Sequence, residues 1–236
     1  MPLLTAALAA SGRQPAPPGS FEGAPPQYTR FSAAEIMRGF LALSFGSDLR
    51  IDYPPIAGVV ADLLLVTHEH ADHNGVETVG GDPVLLRSTA GTLDSPVGTV
   101  VAVASEHDSS AGTERGPNTI FAFTLDGVRV AHLGDFGQAA LREEQAAAIG
   151  AVDLLFVPVG GRFTIGAQEA AAVVARLGPR WVVPMHYRTP RINFLEPAEE
   201  FLALMASVLE LDSTAFETGA LDGGDGATLA VVPKSP

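Results

Sequence analysis

The stretch "LLLVTHEHADHNG", residues 63–75, constrains the fold more than any other part of the chain. Three histidines and an aspartate fall between His68 and His73, directly behind an unbroken apolar run. The whole chain has only 6 histidines, so half of them crowd into one turn of sequence. Leu63–Thr67 reads as a short buried strand. In extended backbone, residues i and i+2 point the same way, so His68 and His70 converge on one ion. With a turn at Ala71, Asp72 and His73 face a second ion beside the first. Neutral imidazole and carboxylate are the ligands that divalent zinc, manganese or iron accepts. Gly75 lets the backbone turn away close to that site. The bland alternative is a polar helix start with incidental histidines.

Cysteine is absent, so disulfides, thiolate metal sites and thiol nucleophiles are excluded together. Any metal must be held by His, Asp or Glu. A chain without disulfides suits the cytoplasm, which is the expected compartment. The formal net charge is −13, and no basic stripe is visible. That argues against a nucleic-acid partner and leaves room for a small anionic substrate, because bound cations reverse a local field. No apolar segment is long enough to span a bilayer, so no membrane partner is expected. The oligomeric state is not written in the sequence.

The first 20 residues carry a short apolar stretch with no basic region before it, which does not make a secretion signal. "PAPPGSFEGAPP" is rich in Pro and Gly and suits a linker. Residues 1–30 are therefore expected to be a disordered leader, and 31–236 a single domain.

Further strands are expected at Val84–Thr89 and Val97–Ala104. A hairpin follows, Thr119–Leu125 with Val128–Leu133, turning at Asp126-Gly127, a dipeptide that supplies positive φ angles. "AALREEQAAAIG" predicts a helix ending at Gly150, "DLLFVPV" a strand, and "GAQEAAAVVARLG" a helix closed by Gly178 with Pro179 beyond. "WVVPM" is a strand, "PAEEFLALMASVLEL" a helix, and Thr228–Val232 the last strand. Strands in runs that later alternate with helices suggest two sheets face to face with helices outside, or one mixed sheet.

The other ligand types fall at strand ends. His107 lies in "ASEHDSS", Asp135 in "HLGDFG" and His186 in "PMHYR". Ligand candidates at several strand ends describe a site at one rim of a sheet, where loops on a rigid scaffold collect function.

The pattern H-x-H-x-D-H, then a lone His, then "GD", then a His after a strand, resembles the metallo-β-lactamase fold superfamily. "HLGDFG" and "DLLFVPVGGRFTIGAQEAA" look like its branch containing ascorbate-6-phosphate lactonase and other metal-dependent hydrolases. The likeness covers roughly residues 51–205 and implies an α/β fold, the four-layer αββα sandwich, with a dinuclear site between the sheet edges. Carried over residue by residue, it implies one metal held by His68, His70 and His107. It implies a second held by Asp72, His73 and His186, with Asp135 bridging the two. A hydroxide between the two ions would be the nucleophile; Asp72 and Asp135 are the carboxylates placed in the catalytic centre. The ions implied are zinc, with manganese or iron as alternatives. Members of this family usually begin with a strand pair carrying Gly-His and then a strand ending in Asp-Pro. The first is not found here, and "SDLRIDYPP", with Asp52 near its end, is an altered form of the second.

Several neighbours have two readings each. His132 either orients Asp135 or is a satisfied strand histidine. Asp108 either supports His107 or is an exposed loop acid. Tyr187 and Arg188 either contact substrate at the rim or form a solvated loop pair. Asn118 faces the cleft or is simply a turn residue. Gly160-Gly161 either admits substrate to the backbone or is a plain turn. The expected function is hydrolysis of a small molecule — a lactone, phosphoester or amide — with a non-catalytic metal-binding protein of the same fold as the rival.

Overall fold

The computed structural model describes residues 30–32, 60–70, 73–221 and 226–234. Apart from Arg30, the expected leader lies outside these residues, as do Asp52 and Asp72.

The strands are β1 (Arg30–Ser32), β2 (Leu63–Val66), β3 (Val84–Arg87), β4 (Gly91–Ser95), β5 (Gly98–Glu106) and β6 (Pro117–Leu125). They continue with β7 (Val128–His132), β8 (Leu154–Pro158), β9 (Trp181–Met185), β10 (Ser207–Glu210), β11 (Ala215–Glu217) and β12 (Leu229–Val232). Three described α-helices accompany them: α1 (Glu143–Ile149), α2 (Ala167–Leu177) and α3 (Glu199–Leu202).

Eight strands form one mixed sheet in the order β10-β12-β9-β8-β7-β6-β5-β4. Two short pairs stand apart from it: β2 parallel to β3, and β1 antiparallel to β11. The period-two alternation of the large sheet sorts its side chains between two cores. Phe121, Phe123, Val130, Leu154, Phe156, Trp181 and Val183 face Leu63, Leu65 and Phe216 of the short pairs. Ile120, Ala122, Ala131, Leu155, Val157 and Val182 face the other way, onto Ile149, Val173, Val174 and Phe201 of the three helices. Leu64 and Val66, on the far side of β2, are buried as well. The arrangement is therefore sheet against sheet with helices outside, the sandwich expected from the sequence.

The hairpin between β6 and β7 turns where expected, with Asp126 at φ +47° and Gly127 at +83°, and Leu125 paired with Val128. The second helix also ends as read: Gly178 is left-handed at φ +58° and its N–H bonds the Val174 carbonyl.

One expected element is wrong. "PAEEFLALMASVLEL" is not a helix throughout; only Glu199–Leu202 is helical, and Ser207–Glu210 is an edge strand parallel to β12. Unpaired backbone along β12 is worth more to satisfy than the local helix preference of Leu, Ala and Met, so sheet pairing wins. Leu209 also packs on the core between the sheets. The first helix starts later than read, at Glu143, with Gln145 Oε1 accepting the Arg142 N–H in its first turn. Strand β4, "GTLDS", escaped the sequence reading because only Leu93 in it is large and apolar.

Topology fixes where a site can be. β5 and β7 each run antiparallel to β6, and β7, β8 and β9 are mutually parallel. The C-terminal ends of β5, β7, β8 and β9 therefore open on one rim. The end of β2 is docked there too, because Thr119 N–H donates to the Thr67 carbonyl at 2.8 Å.

Candidate metal centre

Four of the five strands of that rim each deliver one polar residue. His68 follows β2 and Thr67, His107 follows β5, Asp135 follows β7 by a short loop, and His186 follows β9. Their imidazoles close around one carboxylate oxygen. Asp135 Oδ2 lies 3.1 Å from His107 Nε2, 3.5 Å from His186 Nε2, 3.6 Å from His73 Nε2 and 4.0 Å from His68 Nε2. The His70 ring is 4.8 Å from that of His68 and 4.9 Å from that of His107. Two overlapping groups have ligand atoms near enough for an ion: His68 with His70 and His107, and His68 with His73 and Asp135. The structure thus assembles six of the seven sequence-predicted ligands; the seventh, Asp72, lies outside the described residues.

The backbone is bent to make this approach. His186 takes φ +54°, a left-handed conformation that costs a side-chain-bearing residue energy and marks sites where the surroundings impose it. Gly160 makes room for it, since a Cβ there would overlap the His186 carbonyl oxygen and stand 2.8 Å from Tyr187 Cα. Gly134, at φ +58°, has the Asn118 amide and the Thr67 side chain where a Cβ would be. These two glycines serve close approach of chain to chain, and at Gly160 the approaching group is the His186 loop.

Polar neighbours hold the rings and the carboxylate in place. Thr67 Oγ1 is 3.0 Å from His68 Nδ1, and Thr164 Oγ1 is 3.3 Å from His186 Nδ1. Asn118 is buried. Its Nδ2 donates to Ser105 Oγ and the Leu133 carbonyl, both at 2.8 Å, while its Oδ1 accepts the Asp135 N–H at 3.0 Å. Asn118 is therefore the fastener of the Asp135 loop, where a turn residue was expected. His132 Nδ1 accepts the Gly134 N–H at 3.1 Å, and its ring packs 5.6 Å from that of Phe156. Asp108 is buried rather than exposed. It accepts the N–H groups of Ser110, Gly112, Glu114 and Arg115 at 2.7–3.1 Å and winds the loop that follows His107.

Tyr187 packs partly on the core beneath the helices. Arg188 Nε donates to the Leu195 carbonyl at 2.7 Å, and its Nη2 stands 3.8 Å from Glu196 Oε2. Thr67, Thr164 and Asn118 were missed as supports because a hydroxyl or amide beside a ligand has no spacing signature. Thr67 and Asn118 stand at strand ends, whereas Thr164 lies in the loop after β8.

Electrostatics favour a cation. Burial lowers His68 to about 3, with His107, His70 and His186 adding to it against Asp135. Burial likewise pushes His73 and His186 down. At His107 burial is outweighed by the charge and hydrogen bonding of Asp135, which raise it. For Asp135, burial alone would raise the carboxyl, but His73, His186 and His107 hold it well below the usual range. The centre thus presents mostly neutral imidazoles around an ionised carboxylate. His68 Nε2, His186 Nε2 and Asp135 Oδ1 are buried and make no hydrogen bond. Buried polar atoms are costly unless something satisfies them, and this donor set is the one a borderline divalent ion satisfies. The residues fit a metal.

Residues 40–186 match the Beta-lactamase superfamily domain. The chain belongs to that superfamily. It is 37% identical over 187 residues to a UPF0173 metal-dependent hydrolase of Thermococcus kodakarensis, covering 65% of this chain and 78% of the relative. It is 35% identical over 177 residues to one from Thermococcus onnurineus, covering 64% and 77%. Among solved structures it resembles one from Thermotoga maritima described as a candidate Zn-dependent hydrolase of the metallo-beta-lactamase superfamily. The TM-score is 0.64 and the identity 30%, over 77% of this chain and 87% of that one. This superfamily member is a metal-dependent hydrolase, and the structure described above is that of a metallo-beta-lactamase fold.

Proposed function

We propose that this hydrolase acts on a small molecule, a lactone, phosphoester or amide, through two divalent ions held at the rim. The observation that carries the proposal is the convergence of four imidazole Nε2 atoms within 4.0 Å of the buried Asp135 Oδ2. In this reading His68, His70 and His107 hold one ion. Asp72, His73 and His186 would hold the other, with Asp135 as a further carboxylate ligand. Zinc suits the donors best, and manganese or iron would also be accepted. Two such ions, when bound, supply a shared water of lowered pKa and a Lewis acid for the substrate oxygen.

The chain's own contribution is orientation and charge. With the Thr67 and Thr164 hydroxyls accepting hydrogen bonds from Nδ1–H of His68 and His186, each Nε2 would keep its lone pair for the ion. Asn118 fixes the Asp135 backbone, and Asp135 supplies the negative charge that offsets two cations at close range. Burial of the ligand groups keeps water away from them. Partners are limited to a small substrate, since a net charge of −13 disfavours nucleic acid. The cytoplasm is the proposed compartment. Among the described residues no helix is long and apolar enough to cross a membrane.

The test is elemental analysis of purified protein, paired with a panel of aryl esters, lactones and bis-nitrophenyl phosphate in added zinc or manganese. Two ions per chain and turnover of at least one class are expected. At most one ion after supplementation would overturn the dinuclear reading.

A further inference from the structure

The loop that follows His107 meets the loop that braces His186. The loop after β5 is wound on Asp108 and ends at Arg115. The next residue, Gly116, accepts the His107 N–H at 3.1 Å. The loop after β8 places Thr164 against His186, and the residue before it is the partly buried Phe163. Arg115 Cζ stands 4.2 Å from the centre of the Phe163 ring. A cation from the His107 side is thus laid on an aromatic face from the His186 side. The Phe194 ring stands edge-on to Phe163 at 6.2 Å and widens the apolar surface.

We propose that Arg115 on Phe163 is the substrate-recognition wall of the metal cleft, selecting small molecules that carry an anionic group beside an aromatic or other apolar body. The proposal rests on the hydrolase reading of the same cleft. A guanidinium offers a planar fork that matches carboxylate, phosphate or phosphonate oxygens. Stacking on an aromatic ring holds that fork in one orientation, so less freedom is lost when the anion arrives. The chain as a whole repels anions, with a formal charge of −13. An anionic substrate therefore needs a fixed local cation beside the ions themselves. Phe163 and Phe194 supply the surface for the apolar body.

The experiment measures binding, so that it does not depend on knowing the substrate. Phenylphosphonate and methylphosphonate are titrated calorimetrically into metal-loaded full-length protein, as wild type, Arg115→Gln, Arg115→Lys and Phe163→Leu. Wild type is expected to bind phenylphosphonate about tenfold or more tightly than methylphosphonate. Arg115→Gln should weaken both at least tenfold, and Arg115→Lys by less. Phe163→Leu should erase most of the preference for the phenyl group. The Arg115 N–H bond to Asp108 is made by the backbone and survives either substitution, and the lysine variant guards against a misfolded glutamine variant. Phenylphosphonate affinity within twofold of wild type in both Arg115 variants, or no binding by wild type at millimolar concentration, overturns the proposal. Arg115-dependent binding with no turnover of any ester or lactone would leave the recognition wall standing and remove the hydrolase reading. Turnover with Arg115-independent binding would do the reverse.

Discussion

Asp135 is the residue whose removal tells a paired centre from two separate ones. Asp135→Ala should keep the fold but lose the more weakly held ion, and turnover should fall by at least about 10²–10³. Asp126→Ala, in the hairpin turn, should spare metal content. Zinc titration of both variants checks this, and an Asp135→Ala protein with two ions at wild-type affinity and full turnover would take Asp135 out of the centre. His132 makes a different prediction. Burial lowers it to about 3, against the opposing pull of Asp135 and of its own backbone contact. The unfolded chain takes up a proton near pH 6.5 that the folded chain refuses until about pH 3, so stability present above 6.5 drains away as pH falls through that window. The slope is up to about 1.4 kcal/mol per pH unit. Denaturant melts of metal-free protein at pH 7 and pH 5 should show it, and His132→Asn should remove that component of the slope. Because His132 also holds the Gly134 N–H, His132→Ala, which leaves no acceptor there, should weaken metal binding about 10–100-fold. An unchanged slope and unchanged affinity would reduce His132 to packing.

Among the elements, the junction between β8 and β9 is the tightest. Gly160→Ala would force the Gly160 and His186 loops apart, with an expected loss of about 1–3 kcal/mol and of affinity for one ion. Gly161→Ala next to it would meet only ordinary contacts, the nearest Glu196 Cγ at 3.6 Å, and a positive φ of 60°, so it should cost less and spare the metal. Thermal melts with and without zinc compare the two; equal behaviour would mean that backbone strain, not crowding, governs this junction. Legibility followed the same physics. The elements whose side chains alternate or repeat strongly, β2, β6, β7, β8, β9 and the second helix, could be read directly, because burial on both faces writes itself into the residues. The candidate ligands were legible because His and Asp at strand ends are rare without a purpose. What could not be read depends on a partner distant in sequence. β10 is a strand only because β12 lies beside it, and β4 only because β5 does. Asp108 is buried only because the chain coils back over it, and Asn118 matters only because Asp135 arrives from the next strand.

For the molecule as a whole, metal and folding should be coupled. A cluster of buried imidazoles around a carboxylate is a poor interior when nothing satisfies it, so the ions should stabilise the folded state by mass action. Zinc in about hundredfold excess over its dissociation constant should contribute roughly 2.7 kcal/mol per site, visible as a concentration-dependent rise in Tm. Chelation should reverse it, and a Tm indifferent to both zinc and chelator would contradict the coupling. One further consequence concerns the way the ligands are spread along the chain. They are drawn from four separate stretches between residues 68 and 186, in a polypeptide that has no cysteine. An ion bound there closes the long intervening segments into loops, which is the work that a disulfide does in an oxidising compartment. The catalytic ions would then act as removable crosslinks, and stripping them should cost the protein its cooperativity as well as its activity. Unfolding of the stripped protein should spread into separate transitions where the loaded protein shows one.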